Sequence, residues 1–150
     1  MAKSKELKGQ RNSSGKTINE VPASTDTSLI VWSFDEIDRE GKFAFNTSRS
    51  DLDSKFIIDK MIDYSSMTWQ EIKRQTHDGA KSKNHSIAVN ELSKDAQARL
   101  RALKKEDVAD SLFFFSLSNL IRLIGRRDGA IFHILWYDPK HEAYLTKNHR

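Results

Sequence analysis

The sequence predicts an α+β fold in which the helices precede an antiparallel sheet. Apolar residues recur at helical spacing within residues 50–105, whereas residues 112–145 hold short runs rich in β-branched and aromatic residues. Because helices and strands are grouped instead of alternating along the chain, this order favours α+β over a parallel sheet with crossover helices.

Length and composition restrict the classes of protein to consider. With 150 residues, of which 37% are hydrophobic, the chain can build one domain core. It has no cysteine, which excludes disulfides, thiolate catalysis and cysteine-based metal sites. Its apolar runs are too short to cross a bilayer, and no signal-peptide pattern follows the first lysines. We therefore expect a soluble cytoplasmic protein with no membrane contact.

Residues 1–28 are predicted to be a disordered basic leader, followed by a single domain over residues 29–150. The leader is polar and lacks apolar periodicity, and residues 1–16 carry five basic side chains against one acidic side chain. Such a charge run either only keeps the chain in solution or contacts phosphate.

The first structured elements are predicted to be two strands and three helices. Residues 29–34 and 42–46 read as a hairpin around Gly41, with the acidic residues between them in a solvated turn. A helix is predicted from Ser50, a second from the capping box Thr68–Glu71, and a third from Ser93. An edge strand is predicted over residues 85–89.

The C-terminal part is predicted to be a β-meander of four strands, over residues 112–117, 120–125, 130–137 and 142–145. Asp128-Gly129 is a strong hairpin signal, and Asp138-Pro139 is a natural turn start.

This meander collects residue types that bind a phosphodiester and move protons near neutral pH. The predicted phosphate-binding residues are Arg122, Arg126 and Arg127. The predicted proton-transfer residues are His133, His141, Tyr144 and His149. We expect these groups to share one concave pocket. In the alternative interpretation Arg122 pairs with Asp128 or Glu142, and the histidines are structural.

No cofactor or metal is expected. The histidines have no metal-binding spacing such as HExxH, and the chain lacks a P-loop, GxGxxG and GxSxG. Metal-free RNA cleavage would suit the composition, with an arginine on the phosphate and a histidine or tyrosine deprotonating the 2′-hydroxyl.

The C-terminal third resembles the small bacterial toxins of the RelE, YoeB and ParE type. The similar segments are the helix from Ser93 to Lys104, residues 121–125 (Ile-Arg-Leu-Ile-Gly) and residues 131–138 (Ile-Phe-His-Ile-Leu-Trp-Tyr-Asp). The resemblance implies that Arg122 contacts the phosphate and that Tyr144 or His149 is the C-terminal acid or base. His133 replaces an arginine that is usual in that superfamily.

Two functions follow as hypotheses. The first is an RNA-acting, toxin-like domain, a metal-independent endoribonuclease of a toxin–antitoxin or phage-defence system, with RNA or the ribosome as substrate and an antitoxin protein as partner. The alternative is a non-enzymatic module of a mobile genetic element that binds nucleic acid or protein through the same basic sheet.

Overall fold

The computed structural model describes residues 25–77 and 81–145. In chain order, their strands and α-helices are β1 Val31–Ser33, α1 Ser54–Ser65, α2 Trp69–Arg74, β2 Thr76–His77, β3 Lys81–Ser82, β4 His85–Ala88, α3 Lys94–Ala102, β5 Ser111–Ser116, β6 Arg122–Asp128 and β7 Ile131–Asp138. The predicted leader lies outside the described residues as far as residue 24, and its last four residues, 25–28, are described.

The main sheet has five strands in the order β1-β7-β6-β5-β4. Strand β1 runs parallel to β7, and the other neighbours are antiparallel. Strands β2 and β3 form a separate antiparallel pair. Together with the three helices, this mixed sheet confirms the α+β class.

Three of the four predicted meander strands are confirmed as β5, β6 and β7, but the fourth is wrong. Residues 142–145 form no strand. The buried carboxylate of Asp138 accepts hydrogen bonds from the backbone N–H groups of Glu142 and Ala143, at 2.8–3.0 Å. These bonds hold a turn immediately after β7. They also occupy two backbone N–H groups that a strand over residues 142–145 would need for pairing.

The predicted N-terminal hairpin is also wrong. Strand β1 pairs with β7 instead, where the N–H of Val31 donates to the carbonyl of Ala130 at 2.9 Å. Residues 42–46 contribute a single isolated bridge, between Ala44 and Trp136. The turn chemistry around Gly41 was correctly placed, since Gly41 has φ of +90°, but it serves a loop that folds over the sheet.

The helix signals were more reliable. Thr68 and Glu71 form the predicted capping box, and Ser93 caps α3 through the N–H of Ala96. Helix α1 begins later than predicted because Asp53 is its N-cap, accepting from the N–H of Phe56. The predicted edge strand is confirmed as β4.

Both faces of the sheet are covered. One face packs α1 and α2 in a core whose largest buried members are Trp69, Phe115, Phe132 and Tyr137. The other face packs α3 in a core that includes Phe43, Leu100, Phe114 and Trp136. A register shift separates β6 and β7 at Gly125, where a Cβ atom would overlap the backbone carbonyl of His133. Glycine therefore lets the two strands approach at this bulge.

Among the helices of the described residues, none combines the length and the apolar character that a bilayer span requires.

Candidate anion-binding groove

One arginine differs from all other partly buried arginines among the described residues. Four of them have a carboxylate within ion-pair distance: Arg49 with Asp51, Arg99 with Asp38, Arg126 with Glu36, and Arg127 with Asp26. Arg122 is partly buried as well, yet no described carboxylate lies within 4.0 Å of its guanidinium. An unpaired, desolvated cation is costly, so its position needs a physical explanation.

Arg122 begins β6 and braces the preceding turn. Its Nη1 donates to the carbonyls of Ser118 and Ile121, at 2.8 and 3.1 Å. Its Nε and Nη2 hydrogens meet no acceptor within the described part of the chain, although a guanidinium offers five N–H donors. Burial lowers the pKa of this guanidinium. The remaining donors are thus available to an anion.

A buried polar network anchors the strand end opposite Arg122. Ser116 of β5 lies across from Arg122 in the ladder, and its N–H donates to Oδ1 of the buried Asn84 at 2.9 Å. The hydroxyl of Tyr64 lies 2.8 Å from the carbonyl of Ser116 and 3.1 Å from the same Asn84 oxygen, and its single hydrogen is shared between these two acceptors. Burial raises the pKa of Tyr64 to about 12, so this hydroxyl stays protonated. The network holds in place the end of β5, which pairs with the start of β6 where Arg122 lies.

The turn after β7 supplies the other basic residues of the site. Asp138, across from Arg122, uses its carboxylate to hold the N–H groups of Glu142 and Ala143. His141 adopts a left-handed conformation with φ of 58° in this turn. The same hydrogen bonds explain why Asp138 does not pair with Arg122 and why Lys140 and His141 are presented beside it.

These residues line a groove of about 420 Å³, which we name the Arg122 groove. Its basic lining residues are Arg122, Lys140 and His141; the others are Asn119, Leu120, Glu142 and Leu145. Leu120 and Leu145 are 55% and 45% exposed. The groove combines the guanidinium of Arg122, which has no described carboxylate within ion-pair distance, with apolar walls, a combination suited to an anion that carries an organic group.

The opposite end of β6 is built differently. Arg126 lies directly across from His133 and donates to both carboxylate oxygens of Glu36. The buried ring of His133 lies with Nδ1 2.7 Å from Oδ1 of Asp35, which also accepts from the hydroxyl of Ser33. Hydrogen bonds from Ser33 and His133 hold the pKa of Asp35 below its usual range, and Arg126 does the same for Glu36. We interpret this end as an ion-pair network that holds the loop after β1.

This network contains the one group of described residues whose spacing would suit a metal ion. Ligand atoms of Asp35, Glu36 and His133 lie within 4.8 Å of one another. However, Arg126 already places a positive charge on both oxygens of Glu36, which opposes a second cation there.

The same loop buries a third carboxylate that the sequence placed in a solvated turn. Asp38 is 4% exposed, accepts two hydrogen bonds from Arg99 at 2.8 Å and a third from the indole of Trp136 at 2.9 Å. Burial alone would raise the pKa of Asp38, but these donors outweigh it and lower the pKa. We use the name acidic loop for residues 34–42, which contain all three paired carboxylates.

The expected single pocket is therefore divided. Arg122 and His141 both line the groove, while Arg126 lies four residues along β6, about 13 Å away by strand rise, across from His133 of β7. Arg127 stacks on Trp69 at 4.2 Å and pairs with Asp26. Tyr144 packs against Phe114 in the core beneath α3. His149 lies outside the described residues.

Two charged groove residues, Lys140 and Glu142, were not among the predicted site residues, although the alternative interpretation had Glu142 as a partner of Arg122. Both flank His141 in the turn that Asp138-Pro139 begins, so the turn signal already placed them together. Their association with Arg122 follows from the pairing of β6 with β7, which places Arg122 across from Asp138 at the start of this turn.

A comparison with protein-family models, curated proteins and solved structures finds no match to this chain. The resemblance to RelE-type toxins therefore stays a prediction from sequence.

Proposed function

We propose that this protein binds RNA by holding a backbone phosphate in the Arg122 groove. The observation that carries the proposal is the guanidinium of Arg122, which is partly buried, has no carboxylate partner among the described residues and lines a groove with Lys140 and His141. Phosphate oxygens are strong acceptors that match the planar donors of arginine. A bound phosphate would supply the negative charge that the fold leaves out.

Cleavage, the activity that the resemblance implies, would use the same groove, with His141 in place of Tyr144 or His149, the residues that the resemblance implies as acid or base. Arg122 would hold the scissile phosphate, and His141 would take the proton of the 2′-hydroxyl as its oxygen attacks phosphorus. The bond to the 5′-oxygen would break, the leaving oxygen would take a proton from Lys140, and a 2′,3′-cyclic phosphate would form. His133 is assigned no part, because it lies on β7 across from Arg126 and does not line the groove. A cytoplasmic location and ribosome or antitoxin partners stay predictions from the sequence.

The proposal is tested by fluorescence anisotropy with a labelled single-stranded RNA of mixed sequence, at about 50 mM salt. Arg122→Ala should weaken binding at least tenfold, because a charge-assisted hydrogen bond contributes about 1.5–3 kcal/mol. Arg126→Ala is the matched control on the same strand and should leave the affinity within about twofold, since Arg126 is occupied by Glu36. Circular dichroism melts confirm that both variants are folded.

RNA binding that ignores Arg122→Ala, or that falls equally with Arg126→Ala, would contradict the proposal. The same incubations, followed on denaturing gels for cyclic-phosphate ends, separate the two hypotheses about activity. Cleavage that His141→Ala abolishes supports an endoribonuclease, whereas binding with intact RNA supports the non-enzymatic module.

A further inference from the structure

The Arg122 groove contains one acid among its basic residues. Glu142 lines it together with Arg122 and Lys140, and its side chain is 43% exposed. Its ion-pair partner within the described residues is Lys42, at 3.9 Å and outside the groove lining. The hydrogen bonds of Glu142 to described groups are made by its backbone N–H. Its carboxylate therefore keeps most of its capacity to accept hydrogen bonds.

A carboxylate in this position would weaken a site that bound phosphate alone. Like charges a few ångströms apart repel, and partial burial increases the effect. The same carboxylate becomes favourable when the ligand also brings N–H donors. In RNA, such donors lie on the edges of the bases, so Glu142 indicates a ligand whose base enters the groove with its phosphate.

The groove has space and surface for a base. Its volume of about 420 Å³ falls in the range of small-molecule sites, about 300–1,000 Å³. Leu120 and Leu145 expose apolar surface along it, which can cover the faces of an unstacked base. A base within a duplex is paired and stacked, so a single-stranded nucleotide is the form that can enter.

We infer that Glu142 makes the Arg122 groove selective for guanine in single-stranded RNA, an inference that rests on the proposed function. The Watson–Crick edge of guanine carries two adjacent donors, N1–H and the N2 amino group, which match the two oxygens of a carboxylate. Adenine and cytosine each place a ring acceptor beside their amino group, and uracil places its N–H between two carbonyls. Guanine alone satisfies the carboxylate at both oxygens without bringing an acceptor against it.

The test measures the affinity of the full chain for labelled uridine hexanucleotides in which one central position is guanosine, adenosine, inosine or uridine. Guanosine should bind about tenfold more tightly than adenosine or uridine, in line with the discrimination of bidentate base contacts. Inosine, which keeps N1–H and lacks the amino group, should fall between them.

Glu142→Gln should change the two kinds of RNA in opposite directions. Affinity for the guanosine oligonucleotide should fall several-fold, while affinity for the all-uridine oligonucleotide should rise, because a negative charge leaves a phosphate site. Partial unfolding would lower both affinities and cannot imitate this pattern. Glu106→Gln removes the same charge from an exposed position outside the groove and should leave the preference unchanged.

Equal affinity for all four oligonucleotides, or a shift of all four in one direction in Glu142→Gln, would overturn the guanine inference. If Arg122→Ala still abolished binding in that case, RNA binding by the groove would stand without base selectivity. Wild-type protein that bound none of the oligonucleotides would overturn the proposed function, and this inference with it.

Discussion

The two ends of strand β6 carry arginines with opposite environments. Arg126 is held by both oxygens of Glu36, beside a buried histidine whose Nδ1 lies within hydrogen-bond distance of Asp35. Arg122 is partly buried and braces two carbonyls, yet no described carboxylate pairs with it. Proteins rarely bury a cation without a counter-charge, so the exception identifies the surface that a negatively charged ligand can complete.

The comparison also shows why residue type is a weak guide to function. Both ends combine arginine with histidine, and both have carboxylates in the nearby sequence. At the acidic loop, three carboxylates pair with Arg126 of β6, His133 of β7 and Arg99 of α3. At the groove, the carboxylate of Asp138 accepts from backbone N–H groups and lies beyond ion-pair distance of Arg122, where its charge only partly offsets the lowering of the Arg122 pKa by burial. The two ends differ in whether the nearby carboxylates pair with side chains or accept hydrogen bonds from backbone N–H groups.

The largest expected effect is on the stability of the acidic loop. Asp38→Ala should lower the free energy of unfolding by about 3 kcal/mol, because it leaves the guanidinium of Arg99 and the indole N–H of Trp136 without their acceptor. Urea denaturation followed by tryptophan fluorescence measures it. Glu40→Ala, an exposed acid in the same loop, should change the value by less than about 0.5 kcal/mol. Equal losses would contradict a structural role specific to Asp38.

Substitutions of Arg126 and Arg122 should differ in their effect on the free energy of unfolding, as they should in their effect on RNA binding. Arg126→Met should cost about 1–2 kcal/mol of unfolding free energy, because it strands Glu36 without its partner in a partly buried site. Arg122→Met should leave that free energy within about 1 kcal/mol or increase it, since it removes a desolvated charge and keeps the apolar stem. A larger loss for Arg122→Met would mean that its carbonyl contacts matter more than its missing counter-charge.

Acid should weaken the acidic loop in a definable range. Glu36 and Asp38 have pKa values held below their ordinary values of 4.5 and 3.8 in the folded state. The unfolded chain therefore binds protons first, so the stabilisation is complete above those ordinary values and is lost as the pH falls through the lower folded values. Urea midpoints should drop below about pH 4.5. Asp38→Asn should reduce the dependence of the urea midpoint on pH in this range. An unchanged dependence would argue that Asp38 does not contribute to it.

The smallest effect concerns salt. If Arg122 and Lys140 both contact phosphate, the logarithm of RNA affinity should fall with the logarithm of salt concentration at a slope of about −1.4. Arg122→Ala should reduce the magnitude of that slope by about 0.7, which titrations between 50 and 200 mM salt can resolve. Arg126→Ala should leave the slope as it is. A slope near zero for the wild type would exclude phosphate as the main contact.

Local signals in the sequence were sufficient for much of the fold. The Thr68–Glu71 capping box and the Ser93 cap placed two helices, and Asp128-Gly129 placed the turn between β6 and β7. Each of these depends on hydrogen bonds between residues three or four positions apart, so the information is complete within a short segment.

Pairing between distant segments could not be predicted from such local signals. Residues 29–34 looked like half of a hairpin because their neighbours in sequence had turn chemistry, but the strand joins β7 a hundred residues away. Likewise, Asp38 looked solvated until Arg99 and Trp136 were brought against it. The candidate site shows the same division, since the sequence selected Arg122 and His141 but could not separate them from Arg126 and His133.

The sequence by itself determined the α+β class, the helix caps and the identity of the basic and imidazole groups, because these follow from composition and from contacts within a few residues. The tertiary structure alone decided which charges are neutralised, since an ion pair depends on where two distant segments meet. Among the described residues, Arg126 has a carboxylate within ion-pair distance and Arg122 has none.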